Sequence, residues 1–184
     1  MHAATPTLQT PRLVLRALCA EDAPRIQQIF PHWDIVKDLS TKVPWPYPDD
    51  GAEAWIAMVL PKMVAGKDSI WAITERPSDA LIGVVHYMTE DTGSGHRGFW
   101  LGLPWHGRGY MTEAVRAVQD HLFFDRGVER LVLLNATDNL ASAAIKKRSG
   151  ATLLDEVPFP HRSGCTHAQR WELTRAAWET ARSR

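Results

Sequence analysis

Residues 98–124 read GFWLGLPWHGRGYMTEAVRAVQDHLFF, and the fold turns on them. The run Phe99-Trp100-Leu101 has the aromatic, apolar character of a buried strand. Pro104, Gly107 and Gly109 break it. A helical pattern starts at once: Met111, Ala114, Val115, Val118 and Leu122 recur at offsets of three, four, seven and eleven, one apolar stripe through three turns. Strand, glycine turn and helix in that order bring backbone N–H groups to one spot. The first N–H groups of a helix lack internal acceptors, and the helix dipole adds partial positive charge there. Glycine at 107 and 109 keeps side chains away and tolerates positive φ, so a phosphate fits. An ordinary strand-to-helix turn would use the same glycines, and the pattern alone leaves both readings open.

Two familiar phosphate loops are excluded. A P-loop needs Gly-Lys-Ser or Gly-Lys-Thr, and the chain has neither. The dinucleotide fingerprint needs a small residue at 112, where Thr112 stands, and it opens a domain rather than following the middle of a short chain.

With 184 residues, 45% of them hydrophobic, one full core and one domain spanning 1–184 are expected. Basic and acidic residues balance at 21 each, so no overall field attracts nucleic acid, membrane or an acidic partner. The opening residues lack an apolar signal region, and no apolar run nears the roughly 18 residues of a membrane span. Cys19 and Cys165 show no metal-ligand spacing, and no His pair has the helical spacing of a zinc site beside a glutamate. A reduced, cytoplasmic, metal-free protein is the expectation.

The remaining chain supplies the frame. Thr10-Pro11-Arg12-Leu13-Val14-Leu15-Arg16 alternates as a strand. Glu21-Asp22-Ala23-Pro24 opens a helix whose apolar side is Ile26, Ile29 and Phe30. The loop Pro31-His32-Trp33 to Pro44-Trp45-Pro46-Tyr47-Pro48 is too rich in proline for regular structure. It reads both as a rigid connector and as one wall of an acceptor pocket. Asp49 or Asp50 caps a helix with Trp55, Met58 and Val59 on one face, kinked or interrupted at Pro61 and ended by Gly66. Residues 69–74 and 81–88 form a strand pair across Arg76-Pro77-Ser78-Asp79-Ala80, and Asp91-Thr92-Gly93-Ser94-Gly95 turns into the central strand. After the central helix, residues 130–135 form a strand apolar enough to be buried on both faces, joined by a parallel crossover. A helix from Asn139 to near Gly150 and strands at 151–157 and 169–174 follow, and residues 175–184 form a short helix or fray.

Pro104-Trp105-His106-Gly107-Arg108-Gly109-Tyr110-Met111-Thr112-Glu113-Ala114 resembles the acetyl-coenzyme A loop of the GNAT N-acetyltransferases, and within them the branch of the RimJ and RimL ribosomal-protein N-terminal acetyltransferases. The match departs at Pro104 and at the inserted His106, and neither removes a backbone donor. TPRLVLR near the start is similar to the same branch. Asn139 and Ser142 match a second family patch, in which Lys147, Arg148 and Ala151 stand where glutamate, lysine and phenylalanine are usual. The resemblance implies an α/β (α+β) fold: a mixed central sheet of about six to seven strands, with an antiparallel N-terminal meander, a parallel pair splayed around the cofactor, and flanking helices.

It also implies roles. Backbone groups of Leu101, Gly102 and Leu103 would pair with the pantetheine arm of acetyl-coenzyme A. N–H groups of Trp105, His106, Gly107, Arg108, Gly109, Tyr110, Met111 and Thr112 would hold its pyrophosphate, with Arg108 adding charge. Residues from Asn135 onward would meet the other arm, with Asn139 bonded to it and Ser142 protonating or hydrogen-bonding the departing thiolate. Helix capping explains Asn139 equally well. The acceptor would be a primary amine, a protein N-terminus or a small molecule, attacking the thioester directly. An α-amine, with a pKa near 8, needs less help from a base than a lysine near 10.4. The branch often has a glutamate where this chain has His96, which is therefore the candidate base. The missing glutamate also keeps open a coenzyme A-binding sensor without turnover. Trp171 and Trp178 are candidate anchors of a homodimer as well as core residues.

Overall fold

A computed structural model describes residues 5–90, 93 and 95–183. Of the turn expected at 91–95, residues 91, 92 and 94 lie outside the described residues. The first sheet is an antiparallel run of neighbours: β1 (Leu8–Gln9), β2 (Leu13–Ala17), β3 (Asp68–Glu75), β4 (Leu81–Met88) and β5 (Arg97–Leu101). A second sheet has the order β6 (Arg130–Ala136), β8 (His167–Thr174), β7 (Thr152–Pro158), again antiparallel.

Period-2 alternation sorts side chains to the faces of the first sheet. Trp71 and Ile73 of β3 join Leu13, Leu15 and Val85 on the face covered by α4 (Tyr110–Asp120). Ile70, Ala72 and Val84 join the opposite face, covered by α1 (Ala23–Ile29), α2 (Trp33–Val36) and α3 (Gly51–Val64). The stripe read from the sequence of α4 is buried: Ala114, Val115, Val118 and Leu122 are at most 1% exposed. Each larger member contributes about 1.5–3 kcal/mol of burial. α5 (Leu140–Arg148) follows β6, and α6 (Arg175–Arg182) closes the chain as an ordered helix.

Three expectations change, and one left open is decided. The α/β class holds, but the sheet is split: β5 and β6 meet only near their starts, where the His96 N–H donates to Val132 O at 2.7 Å and the Val132 N–H donates to His96 Nδ1 at 2.9 Å. Pro61 does not interrupt α3, which runs on to Val64; Ala57, whose carbonyl loses its usual partner there, is exposed and open to water. Met58 is 56% exposed, and Ile56 and Val59 carry the buried face. Of the two readings of Trp171 and Trp178, the core one holds: both are 2% exposed, and Trp178 bonds Asp120 Oδ1 through its Nε1–H at 2.9 Å.

Candidate active site

The glycine loop is fastened from beneath. Gly107 and Gly109 take φ of 73° and 78°, and Gly109 is the N-cap of α4. A Cβ at 107 would meet nothing within 4 Å, so glycine is demanded there by backbone conformation, and the space above the loop is open. Glu113, in the first turn of α4, accepts from Thr10 Oγ1 at 2.6 Å, the Arg12 N–H at 3.0 Å and Arg12 Nε at 2.6 Å, while Arg12 Nη1 donates to Arg108 O at 2.9 Å. The opening Thr10-Pro11-Arg12 thus ties β2 to the loop. Tyr110 Oη and Trp105 Nε1 both donate to Glu75, and these bonds, Tyr110 first, hold its carboxyl below the ordinary value. His106 Nε2 bonds the Leu101 carbonyl at 2.7 Å.

Beyond β5 the strands part. The Gly102 N–H donates to Ile82 O at 2.8 Å, which extends the β4–β5 ladder. Antiparallel alternation then turns the backbone groups of Phe99 and Leu101 away from β4, into the gap. A cavity of about 990 Å³ occupies this region. Of the site residues singled out in the sequence, all line it except Gly102, Arg108 and His96. Asn139 Oδ1 caps α5 by accepting from the Ser142 N–H at 2.9 Å, so its capping role is real. Asn135 donates to Ala136 O and Gln169 Oε1, leaving its buried Oδ1 without a partner among the described residues. His96 is drawn into the junction of β5 and β6, one ring nitrogen already accepting from Val132.

The proline-rich loop divides its work. Trp33 and Trp45 pack on each other at 5.4 Å, Tyr47 packs on Phe30 at 5.0 Å, and none of them lines the cavity. The wall is made instead by Asp34, Ile35, Lys37, Asp38 and Leu39. The turn between β7 and β8 holds that wall: the Arg162 N–H donates to Leu39 O at 3.0 Å and the Ser163 N–H to Lys37 O at 2.7 Å. Lys37 Nζ neutralises Asp34 at 2.8 Å. Burial, and then the nearby Asp138, push the Asp38 carboxyl above its ordinary value.

The floor carries the opposite charge. Arg97 is 5% exposed, and its three guanidinium nitrogens have no hydrogen-bond partner among the described residues. Burial lowers its pKa to about 10. Lys146, 1% exposed, donates from Nζ to Ser142 Oγ at 2.8 Å; burial, and then Arg97, hold its pKa well below the ordinary 10.5. Asp38, Arg97 and Lys146 were not singled out in the sequence. Parity would have found Arg97, two residues before Phe99 on the same strand face. Helical spacing would have found Lys146, four residues after Ser142.

Among the described residues no three His, Cys, Asp or Glu side chains cluster as for a metal ion, and no helix is long and apolar enough to cross a membrane. The acetyltransferase (GNAT) domain family matches residues 12–152. Similar solved structures include RimL, the ribosomal L7/L12 α-N-protein acetyltransferase, in complex with coenzyme A: 18% identity, TM-score 0.77, covering 92% of this chain and 98% of that one. The ribosomal-protein-S5-alanine acetyltransferase of Vibrio fischeri matches at 16% identity and TM-score 0.78, over 94% and 98% of the two chains. The microcin C7 self-immunity acetyltransferase MccE, in complex with acetyl-CoA and AMP, matches at 17% identity and TM-score 0.75, over 90% and 93%. At these identities the structures share a fold, and the family match over most of the chain adds the lineage: the protein belongs to the GNAT acetyltransferase family.

Proposed function

We propose that the protein transfers the acetyl group of acetyl-coenzyme A to a primary amine, a protein N-terminus or a small molecule, by direct attack of the amine. The observation that carries this reading is one cavity lined at once by the glycine loop opening α4, by Ser142 of α5 and by the carboxylate wall of Asp34 and Asp38. The residues present fit the cofactor: open space over Gly107, helix N–H groups behind it, and Phe99 and Leu101 backbone groups turned to the gap. When bound, acetyl-coenzyme A supplies an acyl group activated as a thioester.

The chain's own residues do the rest. The α4 N-terminus and the loop amides hold the pyrophosphate, and Ser142, on the cavity lining, is the contact for the sulfur in this reading. Asp38 is the base in this reading: its raised pKa suits proton removal from an ammonium, and its charge favours a cationic acceptor. His96 lies off the cavity lining, and its ring is engaged at the strand junction. The sensor reading rested on a missing carboxylate, and Asp38 supplies one. The test is calorimetric titration with acetyl-coenzyme A, followed by a screen of N-terminal peptides and small amines for acetyl transfer. Micromolar binding with turnover of at least one amine is expected. Binding without turnover of any amine would return the sensor reading, and no binding would overturn both.

A further inference from the structure

Arg97 and Lys146 are two neighbouring buried cations with no counter-charge among the described residues. Burying one unpaired cation is costly, and a second one nearby adds repulsion. Lys146 Nζ bonds Ser142 Oγ, and both cations lie near the Phe99 ring, Arg97 Cζ at 5.5 Å and Lys146 Nζ at 5.8 Å from its centre. A ring face compensates a charge only weakly. Arg97 and Ser142 line the cavity, and Lys146 stands one helical turn behind Ser142. The positive field therefore reaches Ser142 through its contact with Lys146, in an interior where screening by water is weak. What this floor lacks is a negative charge, and acetyl transfer from a thioester creates one.

We propose that Arg97 and Lys146 form an electrostatic seat for the negative charge left on sulfur when the carbon–sulfur bond of an acyl thioester breaks, with Ser142 Oγ as the contact between that sulfur and Lys146. The proposal rests on the acetyltransferase reading. The balance is simple: the amine nitrogen bonds the carbonyl carbon, the C–S electron pair goes to sulfur, and the nitrogen's surplus proton goes to Asp38. Sulfur stays negative until it takes a proton. A protonated Lys146 donates to Ser142 Oγ and so leaves the hydroxyl hydrogen free to point at the sulfur. A neutral Lys146 accepts that hydrogen and turns it away. Negative charge in the cavity favours the protonated lysine, so the hydroxyl is aimed when the charge appears. The other charged groups lining the cavity are Arg148 on α5, which adds to the field, and Asp34, Lys37 and Asp38 on the acceptor wall.

Arg97 and Lys146 are positioning residues, since neither touches sulfur, and the test reads ionisation rather than turnover. Free coenzyme A, which carries a thiol, is bound to the protein, and its thiolate absorbance is followed against pH. The expected result is a bound thiol that ionises about one pH unit or more below the free thiol. That shift should shrink in Lys146→Met and in Arg97→Met, with folding checked by near-ultraviolet circular dichroism. An unshifted thiol in the wild-type complex, which needs no variant to fold, overturns the proposal, as does a shift kept in full by both variants. Binding without a shift removes only this seat. Failure of coenzyme A to bind at all, seen by calorimetry, would remove the acetyltransferase reading with it.

Discussion

The glycine loop and the cavity floor border the same cavity, the floor contributed by Arg97 of β5 and Lys146 of α5, and they treat charge in opposite ways. Beneath the loop every named charge is answered: Arg12 and Thr10 by Glu113, Glu75 by Tyr110 and Trp105. On the floor Arg97 has no partner among the described residues, and Lys146 has a hydroxyl. Paired groups hold the backbone donors of the loop in place before any ligand arrives. Unpaired ones lower stability and leave a field that only a visiting negative charge can satisfy. The difference separates residues that build the site from residues that work in it.

The largest expected effect lies across the cavity from the floor. Asp38→Asn should lower kcat/KM about 100-fold while leaving acetyl-coenzyme A affinity intact, because it removes the base and spares the cofactor side. Steady-state kinetics and calorimetry on one preparation check this; wild-type turnover would move the base elsewhere. Next comes the paired region. Glu113→Gln should cost about 2 kcal/mol of stability, since charged hydrogen bonds to Arg12 and Thr10 are weakened. Burial opposes the charge of Glu113, but Thr10 and Arg12 outweigh it and hold its pKa below 4.5. Its contribution is therefore complete above pH 4.5 and fades as pH falls through the folded value. Urea denaturation at neutral and acid pH should show the gap to Glu113→Gln closing on acidification.

The smallest effect has the opposite sign. Lys146→Met should raise stability by about 1 kcal/mol at neutral pH by removing a buried uncompensated cation. The folded pKa of Lys146 is depressed, so its cost is full below that value and is relieved as pH rises toward 10.5. The advantage of the variant should shrink over the same range. A loss of stability on this substitution would mean that Lys146 belongs with the paired groups.

Much of this was legible in residues 98–124. The apolar stripe of α4, the glycines and the strand before them obey local rules of period and φ, and they appear where those rules put them. Glu113 was read only as part of a motif; its tie to Arg12 spans a hundred residues, and no local pattern carries it. The resemblance implies that β5 and β6 splay around the cofactor but keeps them in one sheet; that they belong to two sheets follows from strand order, a tertiary property. The sequence leaves Trp171 and Trp178 open between surface and core because their faces are decided by strand and helix partners rather than by their own neighbours. Arg97 lies ahead of the apolar run Phe99-Trp100-Leu101 that marks the strand in the sequence, and Lys146 is hidden in a run of basic residues that includes Lys147 and Arg148. A cation on a buried stripe contradicts the usual pattern, and that contradiction is the signal to seek.

The most direct test is a crystal structure of the protein with coenzyme A. The pyrophosphate is predicted on the N–H groups around Gly107 and Gly109, and the sulfur within about 3.5 Å of Ser142 Oγ, over the Arg97–Lys146 floor. Coenzyme A seated away from the glycine loop, or a sulfur turned away from Ser142, would contradict the account.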